Sequence, residues 1–344
     1  MILLEEQDFE DYVVFSGGGA GGIGQWNQYK HWKSLGNKAV KFAGASAGSL
    51  NALLASRGLD QVADELYNIA YDGRASNVFG SELAHLDGKL SVDVGAVKDV
   101  VLKGINVWDV PKLVTKKGQK KLMQQLTSNV LGIQSLLNNR PLLQSVKDIL
   151  AMPHPDDCEM IFGVVNLLTG QPQRHTLSEF DDMDMAALAI VASTTIPVIL
   201  PLVPGYTTKE ASYKMLGDGG LRDGSPIGSM LKGLDPNKRA RITVFNINRR
   251  ELATVEELSS AVAVAGRTLQ IALNQILISN LEVILERNKI ALTYGERPGY
   301  RYVPIRIIEA SHNRSVLDFS RESAEEQIRT APGDVDRTLA IPFT

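Results

Sequence analysis

Residues 12–48 read YVVFSGGGAGGIGQWNQYKHWKSLGNKAVKFAGASAG, and this stretch decides the fold. The continuous apolar run at residues 12–15 is typical of a strand buried on both faces of a parallel sheet. A glycine-rich loop follows, and apolar residues at helical spacing predict a helix over residues 22–35. A second apolar run at residues 40–45 leads into a tight turn and a predicted helix over residues 47–56. This order of elements predicts the opening of a doubly wound α/β sheet.

Ser46 stands between Gly44 and Gly48 at the point where the second predicted strand ends. A tight strand-to-helix turn of this kind holds a serine in a strained backbone conformation and exposes its hydroxyl, and only small neighbours such as Ala45 and Ala47 fit around it. Ser46 is therefore the candidate nucleophile. The alternative is a helix N-cap, because serine is favoured at that position on geometric grounds alone.

A serine nucleophile needs a base to take its proton and donors to stabilise the oxyanion that forms. Asp218-Gly219-Gly220 follows a strand-like run at residues 213–216, where α/β sheets place their chemistry, so Asp218 is the candidate base. The alternative is a loop aspartate that bonds its own backbone in a turn. Gly17-Gly18-Gly19 lacks shielding side chains, so several amides can point at one anion beside the helix that starts near Gly22.

Taken together, these motifs resemble those of the patatin-like phospholipase family. The family pattern is a strand, GGGxxG, a helix, a strand and GxSxG, followed much later by DG[GA]. Two further stretches, Ala192–Pro197 before the aspartate and Asp223–Ile227 after it, also resemble the family. The resemblance runs from about residue 12 to about residue 227. In this chain the three motifs are Gly17-Gly18-Gly19-Ala20-Gly21-Gly22, Gly44-Ala45-Ser46-Ala47-Gly48 and Asp218-Gly219-Gly220.

The resemblance implies an α/β fold with a central, mostly parallel sheet flanked by helices. It implies a dyad in which Ser46 attacks and Asp218 accepts the proton, with an oxyanion hole at Gly17, Gly18 and Gly19. It also implies a phospholipid or other lipid ester as substrate, transient contact with a membrane surface, and no metal or other cofactor. Some bacterial relatives are effectors that an activator switches on, so an activator stays an open alternative. Gly21 departs from the family, because many members carry arginine or lysine there.

His312 provides an alternative base. The order Ser46, Asp218, His312 matches the chain order of the α/β-hydrolase triad, and His312 follows a predicted strand at residues 300–308. That fold, however, places several strands before its serine, whereas Ser46 follows only the second predicted strand. The dyad is therefore the favoured interpretation. The other histidines lack metal-ligand spacing, and we expect them to be solvated or to cap helices: His31, His85, His154 and His175.

A non-catalytic protein that binds a nucleotide or an acyl ligand is the second alternative. Residues 17–22 satisfy GxGxxG, but a dinucleotide site needs an acidic residue at the end of the second strand, where this chain has Gly44-Ala45-Ser46. A net charge of −3 over 344 residues gives no reason to expect a nucleic-acid partner. The basic run at residues 112–121 is a candidate contact for anionic lipid headgroups, and its alternative is a solvated helix face.

The rest of the chain predicts one catalytic domain over residues 1–344. We expect a helical insertion at about 61–152, strands at 160–166 and 241–248, and a C-terminal extension at about 250–344 with a long helix at 255–288. Cys158 is the only cysteine and the N-terminus has no apolar leader, so we expect a cytoplasmic protein. The apolar stretch 269–285 is interrupted by polar residues, which a membrane span does not tolerate.

Overall fold

A computed structural model of the chain shows a central sheet with helices packed on both faces, which confirms the predicted fold class. The structure describes residues 9–72, 78–81, 84–85, 91–101, 103, 124, 135–156, 158–197, 199–232, 234, 238–252, 254, 261–297, 300–312, 315 and 317–341. The basic run at residues 112–121 lies outside the described residues, so its predicted contact with lipid headgroups stays a prediction. Within the described ranges, no helix combines the length and the apolar character that a membrane crossing requires.

The described part of the chain forms one eight-stranded sheet and two small two-stranded ones. In the large sheet the order is β12-β11-β1-β2-β7-β10-β9, and β8 pairs with β7. Strands β12, β11, β1, β2 and β7 run parallel, whereas β8, β9 and β10 are joined by antiparallel pairs. The strands are Phe9–Phe15 (β1), Ala39–Gly44 (β2), Gly80–Ser81 (β3), Ala84–His85 (β4), Ser91–Val92 (β5), Leu137–Asn138 (β6), Glu159–Asn166 (β7), Gln171–Thr176 (β8), Val203–Thr207 (β9), Ser212–Asp218 (β10), Arg239–Asn246 (β11) and Ile305–Glu309 (β12).

Helices cover both faces of this sheet. They are Gly22–Ser34 (α1), Ala47–Ser56 (α2), Asp60–Tyr71 (α3), Val94–Val101 (α4), Arg140–Ala151 (α5), Met183–Ser193 (α6), Gly220–Asp223 (α7), Ile227–Lys232 (α8), Ala261–Tyr294 (α9) and Arg321–Leu339 (α10). A 3-10 turn at Gly19–Gly21 precedes α1 and another at Leu177–Glu179 precedes α6. The predicted block at 61–152 thus contains α3, α4, α5 and the four short strands β3–β6.

Successive side chains of β1 belong to two hydrophobic clusters, one on each face of the sheet. Val13 and Phe15 lie in a cluster with Trp26 of α1 and Leu53 of α2, which covers one face. Tyr12 and Val14 lie in the other cluster, which includes residues of α8 and α9. Successive side chains of a strand point to opposite faces, so the unbroken apolar run at residues 12–15 of β1 means burial on both sides.

Polar side chains attach the long helix α9 to the sheet. Gln270 donates a hydrogen bond to Asn248 Oδ1 (3.1 Å), and Asn274 donates one to the Arg250 carbonyl (2.7 Å). Asn288, further along the helix, donates to the Val303 carbonyl just before β12 (2.7 Å). Gln270 and Asn274, which interrupt the apolar stretch 269–285, thus fix this helix to the segment after β11.

The structure corrects several predicted boundaries and adds elements that the sequence analysis missed. The long helix continues to Tyr294, past its predicted end at 288, and the last strand begins at Ile305 and not at residue 300. The predicted start of the long helix at residue 255 lies outside the described residues. Strands β8 and β9 and helices α6 and α10 were not predicted. The prediction that His175 is solvated or caps a helix is wrong, because only 2% of its surface is exposed and it lies among aromatic rings of β7, β9 and β10.

Candidate active site

Ser46 occupies a tight turn between β2 and α2. Its backbone has φ 54° and ψ −133°, a conformation that non-glycine residues rarely adopt. The flanking glycines are required by close approach: a Cβ at Gly44 would lie 2.0 Å from the Gly48 carbonyl oxygen, and a Cβ at Gly48 would lie 2.3 Å from the Phe15 carbonyl oxygen. Ala45 and Ala47 complete the turn. The strained turn places the Ser46 hydroxyl at the carboxyl end of the parallel strands, as the sequence predicts.

Pairing along β7 explains why Ser46 meets Asp218. Gly44, the last residue of β2, pairs with Phe162, and Asp218, the last residue of β10, pairs with Val164. Both strands use the edge of β7 that faces away from β8, because Phe162 and Val164 each pair with β8 on the other side. Since β2 runs parallel to β7 and β10 runs antiparallel, their carboxyl ends point at each other, and only Gly163 of β7 separates the two pairing positions.

The two candidate catalytic side chains are in direct contact. Ser46 Oγ donates a hydrogen bond to Asp218 Oδ2 at 2.7 Å, and the Gly220 amide donates one to Asp218 Oδ1, also at 2.7 Å. Both residues are 3% exposed. The turn after Asp218 is tight, because a Cβ at Gly219 would lie 2.1 Å from the Gly163 carbonyl oxygen of β7. The structure therefore brings together Ser46 and Asp218, the candidate nucleophile and the candidate base.

The segment after α6 fixes both partners, a role that the sequence analysis did not identify. The Ser46 amide donates to Ser193 Oγ (3.2 Å). The Gly219 amide donates to the Ser193 carbonyl (3.3 Å), and the Asp218 amide donates to the Thr195 carbonyl (2.9 Å). This explains why the stretch Ala192–Pro197 accompanies the aspartate motif. Short polar side chains at the end of an apolar helix were the available signal.

Burial dominates the electrostatics of Asp218. Removing the carboxylate from water raises the pKa of Asp218 to about 7, while the hydrogen bonds from Ser46 and Gly220 act in the opposite direction. An ordinary aspartate is a weak base for a serine hydroxyl. A carboxylate whose pKa lies near neutrality holds a proton far more readily, and it is still ionised in a large fraction of molecules at neutral pH.

The three glycines of the predicted oxyanion hole differ in their amide partners. The Gly17 amide donates to the Gly224 carbonyl at 2.8 Å, so it is already engaged. Gly17 also lies against the nucleophile, since a Cβ there would come within 3.0 Å of Ser46 Cβ. Gly18 and Gly19 have φ values of 159° and 59°, and Gly19 lines the same pocket as Ser46. The Tyr71 hydroxyl donates to the Ala20 carbonyl and holds the loop from the other side.

Ile247 accounts for the glycine at position 21. Ile247 follows β11 and is 4% exposed. A Cβ at Gly21 would lie 1.8 Å from Ile247 Cγ2, so no larger residue fits beside this isoleucine. A side chain at position 21 would therefore overlap Ile247, the residue that follows β11.

A buried polar network supports the glycine loop from below. Gln25 of α1 donates to the carbonyls of Ser16 (3.1 Å) and Phe245 (2.7 Å). Asn51 of α2 donates to Gln25 Oε1 (2.8 Å) and accepts a hydrogen bond from Tyr67 (2.5 Å). Such a network, when every partner is satisfied, rigidifies the surrounding structure. Gln25 and Asn51 are polar residues on otherwise buried helix faces, which was the only sequence signal for them.

An ion pair stabilises the segment that follows Asp218. Asp223, 5% exposed, accepts hydrogen bonds from Arg174 Nε (3.0 Å) and Nη2 (2.8 Å) on β8 and from Asn280 of α9 (3.2 Å). Burial raises the pKa of Asp223, and Arg174 acts against this shift. The next residue, Gly224, accepts the Gly17 amide. The cluster therefore connects the aspartate turn to the glycine loop.

The wall of the site is a mostly apolar pocket that Ser46 and Gly19 also line. The apolar lining includes side chains from α2, α3, the segment after α6 and the segment before α10: Leu50, Leu66, Tyr71, Val78, Phe79, Leu137, Ile196, Ile199, Leu200, Leu317 and Phe319.

The histidines lie elsewhere. His312 is 53% exposed and faces Glu326 (3.4 Å), in a separate pocket beside Gly24 and Asp334. No imidazole stands between the Ser46 hydroxyl and Asp218, because these two groups bond directly. His175 bonds Glu179 through Nδ1 (2.8 Å) and the Tyr206 hydroxyl through Nε2 (2.9 Å). Burial lowers the pKa of His175, with Glu179 opposing.

A family model described as patatin-like phospholipase matches residues 13–231. The match covers more than half of the 344 residues, and the chain belongs to the patatin-like phospholipase family. No curated protein sequence matches the chain.

Solved structures similar to this chain include VipD from Legionella pneumophila, with 15% identity and a TM-score of 0.39 over 97% of this chain and 66% of that one. They include full-length SpcU in complex with full-length ExoU from the type III secretion system of Pseudomonas aeruginosa, with 13% identity, a TM-score of 0.30, and 97% and 53% coverage. The type III effector protein ExoU alone gives 13% identity, a TM-score of 0.29, and 96% and 53% coverage. The chain thus spans about two thirds of VipD and about half of the ExoU-related chains it matches.

Proposed function

We propose that this chain is a lipid acyl hydrolase of the phospholipase A type, which cleaves fatty acyl esters of phospholipids with Ser46 and Asp218. The observation that carries the proposal is the 2.7 Å hydrogen bond between Ser46 Oγ and Asp218 Oδ2 beside a mostly apolar pocket. An activated hydroxyl that lines an apolar pocket fits an ester carbonyl attached to a long acyl chain. Among the described residues, the lining offers no charged side chain to bind the phosphates of a nucleotide.

In the acylation step, Ser46 Oγ attacks the ester carbonyl carbon while its proton passes to Asp218 Oδ2. The carbonyl π electrons move onto the oxygen, and the amides of Gly18 and Gly19 stabilise this oxyanion. Collapse of the tetrahedral intermediate breaks the bond to the glycerol oxygen, which leaves with the proton held by Asp218. The acyl chain stays on Ser46 as an ester.

In the deacylation step, water attacks the acyl-serine and Asp218 takes its proton. Collapse returns the proton to Ser46 Oγ and releases the fatty acid. Asp218 thus acts as base and then acid in each half of the cycle, which its raised pKa suits. The mechanism uses no metal, so activity is expected to persist in EDTA, and a loss that calcium restores would contradict it.

The proposal is tested by fatty acid release from phospholipid by purified wild type, Ser46→Ala, Asp218→Asn and His312→Ala. The first two variants are expected to lose at least about 10³-fold in kcat, and His312→Ala is expected to keep wild-type activity. For wild type, kcat/KM is expected to fall as the pH drops below about 7, because Asp218 becomes protonated. Equal loss in His312→Ala would indicate a triad instead.

A fluorophosphonate probe separates the enzyme from a binding protein. The probe phosphorylates an activated serine and loses fluoride, so wild type is expected to be labelled and Ser46→Ala is not. A wild-type chain that releases no fatty acid but takes the label at Ser46 would point to a missing activator. A chain that does neither would favour the binding-protein alternative.

A further inference from the structure

The turn between β7 and β8 exposes two adjacent leucines. Leu167 is 37% exposed and Leu168 is 69% exposed. Turn positions normally carry small or polar residues, whose side chains bond the backbone or favour the turn geometry. No charged residue occurs from Met160 to Gln173, so the part of the hairpin next to the turn carries no charge.

Met215 of β10 lies beside this turn. The Leu167 amide donates to the Met215 carbonyl (2.9 Å), and the Met215 side chain is 39% exposed. Met215 has φ 52°, which is uncommon for a residue with a side chain and marks a bend in β10. We call Leu167, Leu168 and Met215 the hairpin tip.

The hairpin tip stands at the catalytic edge of the sheet. Strand β7 runs parallel to β2, and Asp218 pairs with Val164, so Leu167 lies three residues beyond the level of the dyad. At about 3.3 Å per residue the tip projects about 10 Å past it. Side chains of Leu167 and Leu202 flank Gly217, and the segment that ends near Leu202 also lines the apolar pocket.

We infer that the hairpin tip inserts into the surface of a phospholipid bilayer and docks the enzyme on its substrate. The inference rests on the proposed function, because a phospholipase must take its acyl chain from a bilayer. The charge pattern fits this occupant: the tip is uncharged, while the exposed Lys214 and Arg222 on either side of the β10 end can meet lipid phosphates. Apolar tip residues enter the acyl layer and basic neighbours remain at the headgroups.

Vesicle binding tests this inference without turnover. The Ser46→Ala chain serves as the parent, and its affinity for phosphatidylcholine vesicles is compared with that of the same chain carrying Leu167→Ser and Leu168→Ser. The matched control carries Leu285→Ser and Leu292→Ser on α9, whose exposures of 39% and 69% are close to the 37% and 69% of the tip pair. The tip variant is expected to lose at least about tenfold in affinity, and the control is expected to bind as the parent does.

Equal binding by the tip variant and the parent would overturn the inference, as would equal loss in the control. If the double variant does not fold, as judged by circular dichroism, Leu168→Trp on the parent replaces it. The emission of the introduced tryptophan is expected to shift to shorter wavelength when vesicles are added. An unchanged emission wavelength would overturn the inference. Sedimentation of the parent and of the tip variant without lipid is expected to show the same single species. A dimer that forms in the parent but not in the tip variant would assign the surface to a second copy of the chain instead.

Activity then distinguishes failure of docking from failure of the proposed function. With Ser46 restored, the tip variant is expected to lose activity on vesicles by a larger factor than on a water-soluble short-chain ester. Equal loss on both substrates would contradict docking. A wild type inactive on both substrates, with tip-dependent vesicle binding, would contradict the proposed function and leave docking supported.

Discussion

Asp218, the proposed base, illustrates how a residue suited to catalysis can reduce stability. Its carboxylate is buried with one serine hydroxyl and one amide as hydrogen-bond partners and no cation among them. The unfolded chain hydrates the same carboxylate fully. Folding therefore disfavours the charged form that the reaction needs, and the strained turn at Ser46 adds to this local cost.

Replacing Asp218 by asparagine is expected to stabilise the protein at neutral and higher pH. The pKa of Asp218 is about 7 in the folded protein, above its ordinary value of 3.8. The wild type therefore loses stability relative to Asp218→Asn as the pH rises from 3.8 to about 7. Asp218→Asn should be more stable than wild type by up to about 4 kcal/mol at high pH, with the difference vanishing near the ordinary pKa. Urea unfolding across pH measures this, with the exposed Asp181→Asn as control. The same pH dependence in both variants would refute the argument.

Ile247 occupies the space that a side chain at position 21 would need, so the sizes of these two residues depend on each other. Gly21→Ala is expected to destabilise by about 1–3 kcal/mol, because its Cβ would overlap Ile247 Cγ2. Ile247→Ala is expected to cost about 2–4 kcal/mol as a buried large-to-small change. The double variant should lose less stability than the two single variants lose together. In a double-mutant cycle of urea unfolding, this difference in free energy should be at least about 1 kcal/mol. Additive costs would show that Ile247 does not occupy the space of a residue at position 21.

At the scale of elements, the sequence predicts the strands and helices whose hydrophobic pattern is visible within a short stretch of the chain. Strands β1, β2, β7 and β11 are mostly buried, and each contains a short stretch rich in apolar residues that predicts a strand. Strand β8, QPQRHT, is polar and contains a proline, and β9 contains both proline and glycine, so neither resembles a strand. Helix α10 was missed because Pro332 and Gly333 interrupt its pattern. Ser46 and Asp218 have local motifs, whereas the contacts of Ser193 and Gln25 depend on tertiary structure.

Arg174 on β8 is expected to position the turn that carries Asp218. Replacing it by leucine leaves the Asp223 carboxylate buried without its cation, which is strongly destabilising, whereas replacing both residues by leucine removes the charge as well. Arg174→Leu should therefore be less stable than the double variant in urea unfolding. Both should lower kcat more than they raise KM, because Gly224 no longer holds the Gly17 amide in place. Arg174→Lys should restore part of kcat, and a single variant more stable than the double would contradict this account.

The whole molecule is expected to fold as one unit, although the family match ends at residue 231. Strand β11 pairs with β1 along its full length, and Ser16 donates a hydrogen bond to Asn246 at the carboxyl end of β11. Helix α10 packs on α1, where Gln28 donates to Asp334 (3.0 Å), and Phe319 lines the apolar pocket. The last third of the chain therefore completes both the sheet and the proposed acyl site.

A chain that ends after residue 231 is expected not to fold. It would expose the β1 edge and the apolar face of β1 that α9 covers, and it would lose the Phe245 carbonyl that binds Gln25. Circular dichroism and gel filtration should show an unfolded or aggregated fragment without fluorophosphonate labelling. The same fragment mixed with residues 232–344 should regain labelling if the two parts reassemble. A fragment 1–231 that melts cooperatively and labels at Ser46 would show instead that the motif region is an independent domain, with β11, β12 and α10 added at its surface.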